Sequence, residues 1–286
     1  MPFPILYLIS DFLFLMVYHV VGYRKRVVRE NLRNSFPERS EEERREIERK
    51  FYHFLCDYFV ETLKLGTMSR KQLERHMRFV GVEEIDEELK THPFVFIMLG
   101  HFGNWEWVST LGSFSKNHCA QLYTRLHSRL ADRLFFKLRT RFGSENIEKH
   151  DALKRILTLR KEGIRSHVGF ISDQSPTPLA THLWVNFLNQ ETGVFTGAER
   201  IGRKVGAACY FVTLSRPKRG YYECRFECLT HDIASLPEHE LSKLFMKRLE
   251  EEIQKAPHLW LWSHRRWKHS REEVERIQNR GMEEEG

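Results

Sequence analysis

Phe94-Val95-Phe96-Ile97-Met98-Leu99-Gly100-His101-Phe102-Gly103-Asn104-Trp105-Glu106 decides how the chain is read. The apolar run to Leu99 has no polar relief, the pattern of a strand covered on both faces. Gly100 ends it, a glycine-containing polar stretch follows, and Trp107, Val108 and Leu111 then resume at helical spacing. Strand, turn and helix in this order belong to sheets with helices on their faces, where functional groups collect beyond the carboxyl ends of strands. His101 is placed there. Asn104 is positioned as an N-cap, which puts Glu106 in the first helical turn, where its charge suits the helix dipole. Gly103 permits a tight turn that folds this carboxylate back towards the imidazole.

An imidazole is the natural general base for a hydroxyl at neutral pH, and a carboxylate on its other nitrogen fixes the tautomer and stabilises the imidazolium. No Ser or Cys in the segment reads as a nucleophile, so the pattern suggests direct attack by a substrate hydroxyl. H-x4-E by itself is a weak pattern, and a structural His–Glu pair would look the same. The coincidence of strand end, glycine turn and helix start favours chemistry.

Further apolar runs occur at Cys119–Tyr123, His167–Ile171, Leu183–Leu188, Ala207–Leu214 and Tyr222–Cys228. Helical stretches are read at about 104–114, 128–142, 151–163, 196–204 and 238–256. Upstream, Ser40 and Glu43 form a capping box, and Ile47, Phe51, Phe54, Leu55, Tyr58, Thr62 and Leu65 mark one helical face that Gly66 stops. The fold class expected is therefore α/β: a single mixed sheet flanked by helices, with an amino-terminal helical extension. Without repeats or a composition break, the division is 1–36 for the extension and 37–286 for one further domain.

From Phe3 to Val21 only Ser10, Asp11 and His19 interrupt an apolar segment, and Arg24, Lys25, Arg26, Arg29 and Arg33 follow it. A cleavable leader carries its charge before the apolar run, so this reads as a membrane anchor with the following chain on the cytoplasmic side. Asp11 argues against a simple span, since an acid at mid-bilayer costs about 2.5–3.5 kcal/mol. An interfacial helix, or one packed on the body, avoids much of that cost. The chain of 286 residues is 41% hydrophobic, which excludes a disordered or fibrous protein, and its formal charge of +7 favours an anionic partner. The five cysteines are scattered and odd in number, which reads as free thiols in a reducing compartment. Cys224 and Cys228 lack companions at ligand spacing, no HExxH or comparable triad occurs, and no metal is expected.

His101-Phe102-Gly103-Asn104-Trp105-Glu106 resembles the H-x4-D/E signature of lysophospholipid acyltransferases, and in full it is similar to the branch of bacterial lipid A secondary acyltransferases. Other landmarks follow in that branch's order. They are Tyr23-Arg24-Lys25-Arg26-Val27-Val28, Asn31-Leu32, Phe36-Pro37, Asp173-Gln174, Phe195-Thr196-Gly197 and Trp262-Ser263-His264-Arg265-Arg266-Trp267-Lys268. The wider superfamily commonly has Asp where this chain has Glu106. The resemblance covers essentially the whole chain and implies a glycerolipid-acyltransferase-like fold. It implies transfer of a fatty acyl group from a thioester to a hydroxyl of a lipid acceptor at the inner membrane. His101 would be the base and Glu106 its orienting partner. Acyl carrier protein would be the usual donor and coenzyme A the alternative, with no other cofactor.

Substrate contacts are expected from Gly103, Asn104, Arg125, Arg141, Asp173 and Gln174. Arg125, Arg129, Arg133 and Lys137 recur every four residues as a basic stripe with only Asp132 to pair them, and Arg141 is by resemblance the better substrate ligand. Without the resemblance, Asp173 reads as a turn residue entering Ser175-Pro176-Thr177-Pro178. Thr196 reads as a helix cap, and Trp260–Lys268 as packing near the site or membrane. The acceptor is a lipid A precursor, a lysophospholipid or an acyl-amino-acid lipid. The competing classes are a non-catalytic membrane-peripheral scaffold and an RNA binder, the latter opposed by the apolar leader and the lack of a recognisable RNA-binding framework.

Overall fold

The structure is a computed structural model describing residues 1–285, and it puts the Phe94–Leu99 run at the centre of a seven-stranded sheet. The strands are β1 (Met77–Val80), β2 (Phe94–Leu99), β3 (His118–Tyr123), β4 (Ser144–Glu148), β5 (Ser166–Ile171), β6 (Leu183–Phe187), β7 (Gln190–Val194), β8 (Ala207–Lys218) and β9 (Tyr221–Thr230). The helices are α1 (Phe3–Phe14), α2 (Lys25–Ser35), α3 (Glu41–Lys64), α4 (Arg70–His76), α5 (Val82–Glu88), α6 (Trp105–Val108), α7 (Arg129–Thr140), α8 (Ala152–Lys161), α9 (Gly197–Val205), α10 (Glu240–Lys255) and α11 (Arg271–Glu285).

Sheet order is β1-β9-β8-β2-β5-β3-β4. From β8 to β4 the neighbours are parallel, while β9 runs antiparallel to β8 and β1 parallel to β9. The sheet is thus mixed, in an α/β fold. All of β2 is buried, which requires cover on both faces and accounts for its lack of alternation.

The run at Leu183–Leu188 lies outside this sheet. It forms β6 of a two-stranded hairpin with β7, turning through Leu188 and Asn189, both at positive φ (50° and 60°). β1, β4 and β7 carry no apolar run that a sequence reading would find. β4, Ser-Glu-Asn-Ile-Glu, is an edge strand with only Ser144 and Ile147 buried, so its half-buried positions are free to be polar.

Both halves of the Ser40–Glu43 capping box form at the start of α3. α1 continues as a π-helical stretch, Leu15–Val21, which Gly22 ends at φ +63°. It packs antiparallel on α3: Tyr18 lies over Tyr52 at 5.2 Å, Ser10 Oγ donates to Asp57 at 2.6 Å and Tyr7 donates to Glu61 at 2.9 Å. Asp11, isolated in the sequence, pairs with Arg219 at 2.6 Å. All five cysteines are free thiols, and four of them are buried.

Candidate active site

β2 and β5 are parallel neighbours with Leu99 opposite Ile171. Two residues beyond those partners stand His101 and Asp173, so the ladder's register delivers them side by side. The strand end closes tightly: a Cβ on Gly100 would lie 2.7 Å from Leu249 and 3.3 Å from the Asp173 carboxylate. A side chain there would press on Leu249 and on the carboxylate itself.

Asp173 holds His101 at two points. Its Oδ1 lies 2.6 Å from Nδ1, and its Oδ2 accepts the backbone N–H of His101 at 2.9 Å. Trp260 Nε1 donates to Oδ2 as well, at 2.8 Å. Trp260 reaches this position because its segment runs antiparallel to the motif, with a Phe102–Trp260 bridge, Gly103 N–H donating to Leu259 and Leu261 N–H to His101. Burial alone would raise the Asp173 pKa; the charge and hydrogen bonds of His101, with Trp260, more than offset this and hold it at about 2. An ionised Asp173 fixes the imidazole proton on Nδ1. That leaves Nε2 as the basic nitrogen, and it accepts from the Gln174 amide at 3.2 Å.

The expected contact between Glu106 and His101 is replaced by another. Glu106 is 4% exposed and takes a two-pronged ion pair from Arg139, at 2.7 and 2.6 Å, with Tyr58 OH at 3.5 Å. A planar guanidinium fork matches a carboxylate better than one ring nitrogen can. Asn104 differs too. Its side chain does not cap α6 but donates to buried Glu61 at 3.0 Å. Gly103 makes the tight turn at φ +61°, and a Cβ there would lie 2.7 Å from Leu214.

A cavity of about 570 Å³ opens from His101, within the ~300–1,000 Å³ usual for small-molecule sites. β3 and β5 pair only from His118 to Gln121, and beyond that point residues of both strands line the space. Ile97, Leu111, Leu122, Phe170 and Ile201 make its inner wall apolar, while His101, Glu106, Arg139 and Gln174 supply polar groups. The shape suits an alkyl chain with a reactive head beside the imidazole.

The model of the bacterial lipid A biosynthesis acyltransferase family matches residues 1–269. The chain belongs to that family. It is 24% identical over 273 residues to a lipid A biosynthesis palmitoleoyltransferase of Escherichia coli (strain K12), covering 94% of this chain and 86% of that protein. It is equally similar to a lipid A biosynthesis acyltransferase of Shigella flexneri, with the same coverage. Over 273 residues it is also 24% identical to a lipid A biosynthesis lauroyltransferase of Escherichia coli (strain K12), covering 94% of this chain and 87% of that one. The protein is an acyltransferase.

The other expected ligands of this acyltransferase are dispersed. Gly103 and Asn104 are buried away from the cavity wall. Arg125 pairs with Glu148 at 2.8 Å, its side chain 69% exposed, and Arg141 donates to the Met68 carbonyl at 3.2 Å; neither lines the cavity. The arginine on the wall is Arg139, on the last turn of α7, whereas Arg141 lies past its end. Thr196 makes no side-chain cap. Sequence reading assigns no site role to Tyr58 or Lys149, passes over Arg139 for Arg141, and takes Trp260 only as packing near the site or membrane. Lys149 lines the cavity 4.2 Å from the Phe195 ring, its pKa lowered by burial.

Proposed function

We propose that this acyltransferase moves a fatty acyl group from an acyl thioester, on acyl carrier protein or coenzyme A, to a hydroxyl of a lipid A precursor at the cytoplasmic face of the inner membrane. The observation that carries the reading is His101, oriented through Nδ1 by a buried carboxylate and lining a largely apolar cavity. The acceptor hydroxyl takes the place of the Gln174 amide on Nε2. As its oxygen attacks the thioester carbonyl, its proton passes to Nε2, and Asp173 stabilises the imidazolium. The tetrahedral intermediate then expels the thiolate, which takes the proton from Nε2, leaving an ester and a free thiol. The chain's own nucleophile is not needed.

Glu106 acts on this reading through Arg139, which it holds on the cavity wall as a cationic contact for an anionic part of a substrate. The acceptor class follows the names of the relatives and the landmarks shared with their branch. The formal charge of +7 suits an acidic carrier, and the exposed apolar face of α1 suits a membrane. The test is acyl transfer by the purified full chain from both thioesters to a lipid A precursor and to a lysophospholipid. His101→Ala is expected to reduce turnover at least about a thousandfold while the protein remains folded. Near-normal turnover in that variant refutes the base assignment, and preference for the lysophospholipid refutes the acceptor.

A further inference from the structure

α1 wears its polarity inside out. Its polar groups, Tyr7, Ser10 and Asp11, turn inward to Glu61, Asp57 and Arg219. Its large apolar groups turn outward: Ile5, Leu8, Ile9 and Phe12 are 49%, 69%, 41% and 61% exposed, whereas Ser10 is 1% exposed. A water-facing helix has the opposite arrangement. Phe59 and Leu63, one turn apart on α3, are exposed as well.

We infer that α1 lies lengthwise in the surface of an anionic bilayer and does not cross it. This rests on the membrane reading above and specifies its form. The segment Phe3–Val21 is 19 residues long and apolar enough to span, yet it is fastened to the body along its length. Phe3 stacks on His76 at 4.0 Å, Tyr7 and Ser10 bond to α3, and Tyr18 packs on Tyr52. A perpendicular α1 would carry Asp57, Glu61, Arg216 and Arg219 to hydrocarbon depth. Torn loose, it would strip Asp57 and Glu61, 1% and 0% exposed, of partners they hold now. Lengthwise insertion costs neither.

Charge identifies the surface as lipid. Arg24, Lys25, Arg26 and Arg33 follow the apolar stripe and have no carboxylate partner among the described residues. Tyr23, 44% exposed, sits at the junction, where amphipathic rings favour the headgroup layer. Anionic headgroups satisfy these cations, and a second copy of the same cationic face repels them.

The test is sidedness, read without turnover. In the full chain carrying Cys228→Ser, a thiol is placed by Pro2→Cys or, as a body marker, by Lys161→Cys, and a membrane-impermeant maleimide is applied to spheroplasts and to inverted vesicles. Both positions are expected to label together in inverted vesicles and at least tenfold more slowly in spheroplasts. Labelling of position 2 at least tenfold faster in spheroplasts than in inverted vesicles, with position 161 keeping the opposite order, shows a crossing helix and overturns the inference. Leu8→Glu with Phe12→Glu is expected to weaken sedimentation with phosphatidylglycerol vesicles at least tenfold, with melting unchanged. If it instead abolishes a dimer and leaves vesicle binding intact, the stripe is a self-association surface and the inference falls. Wild-type protein that leaves the membrane fraction altogether overturns the membrane reading itself. Failure to transfer acyl groups leaves these results untouched.

Discussion

A sequence can flag His101 as a base, whereas Asp173 is named only by resemblance and as a substrate contact, because its pairing with His101 has no local signal. They lie 72 positions apart and meet only because β2 and β5 are neighbours with Leu99 opposite Ile171. Asp173→Asn keeps the shape and removes the charge that holds the proton on Nδ1, so turnover is expected to fall about 10³–10⁴-fold in steady-state assays. A fall of less than tenfold places the orienting role elsewhere. The same carboxyl also gives a pH signature. Its folded pKa, about 2, lies below the ordinary ~3.9, so its stabilisation is present above about pH 4 and lost as pH falls towards 2. Wild type is expected to lose about 2 kcal/mol more than Asp173→Asn across that interval in urea titrations. Glu106 and Arg139 are tested as a pair. Arg139→Ala strands a carboxylate only 4% exposed and should cost about 3–5 kcal/mol. Adding Glu106→Ala should recover much of that loss, and simple additivity in the cycle rules out the coupling.

Among elements, those with an unbroken apolar run or a cap were legible before any coordinates. β2, β5, β8 and β9 fall where their runs predict, and α3 begins at its capping box. What escaped was set by neighbours. β4 is a polar edge, β6 left the main sheet because Leu188 and Asn189 turn it back onto β7, and Asn104 serves Glu61 instead of capping α6. The opening between β3 and β5 was equally hidden, since no residue pattern reports where two strands stop pairing. It has a functional consequence at Gly169, which lies on the cavity wall beside Ile97 in the ladder. A Cβ at this glycine would make only ordinary contacts, the nearest at 3.5 Å, so the fold tolerates a side chain there. Gly169→Leu is expected to fill the space and shift the kcat/KM ratio of long over short acyl thioesters at least about tenfold towards the short ones, since each lost methylene contact is worth about 1–3 kcal/mol. An unchanged ratio means the acyl chain lies elsewhere.

At the scale of the whole molecule two clusters of exposed cations bear on binding. One set follows α1 and is assigned to lipid. The other is on α7, where Arg129, Arg133 and Lys137 are exposed, with Leu126 beside them on the cavity wall. α7 is held in place by Arg139 on Glu106, so the stripe has a fixed position relative to the mouth. An acidic carrier presenting its thioester to His101 would meet these charges first. Exposed charges are screened over about 10 Å at 0.1 M salt, so their contribution should be salt-dependent. In detergent-dispersed assays, raising NaCl from ~0.05 to ~0.5 M is expected to raise KM for the carrier thioester at least about tenfold. KM for an uncharged small-molecule thioester of the same chain should stay within about twofold, because it enters the same cavity without crossing the field. Arg129→Glu with Arg133→Glu should reproduce the effect of salt and abolish further dependence on it. If salt raises both KM values alike, it acts on the cavity or the acceptor, and α7 is not where the donor docks.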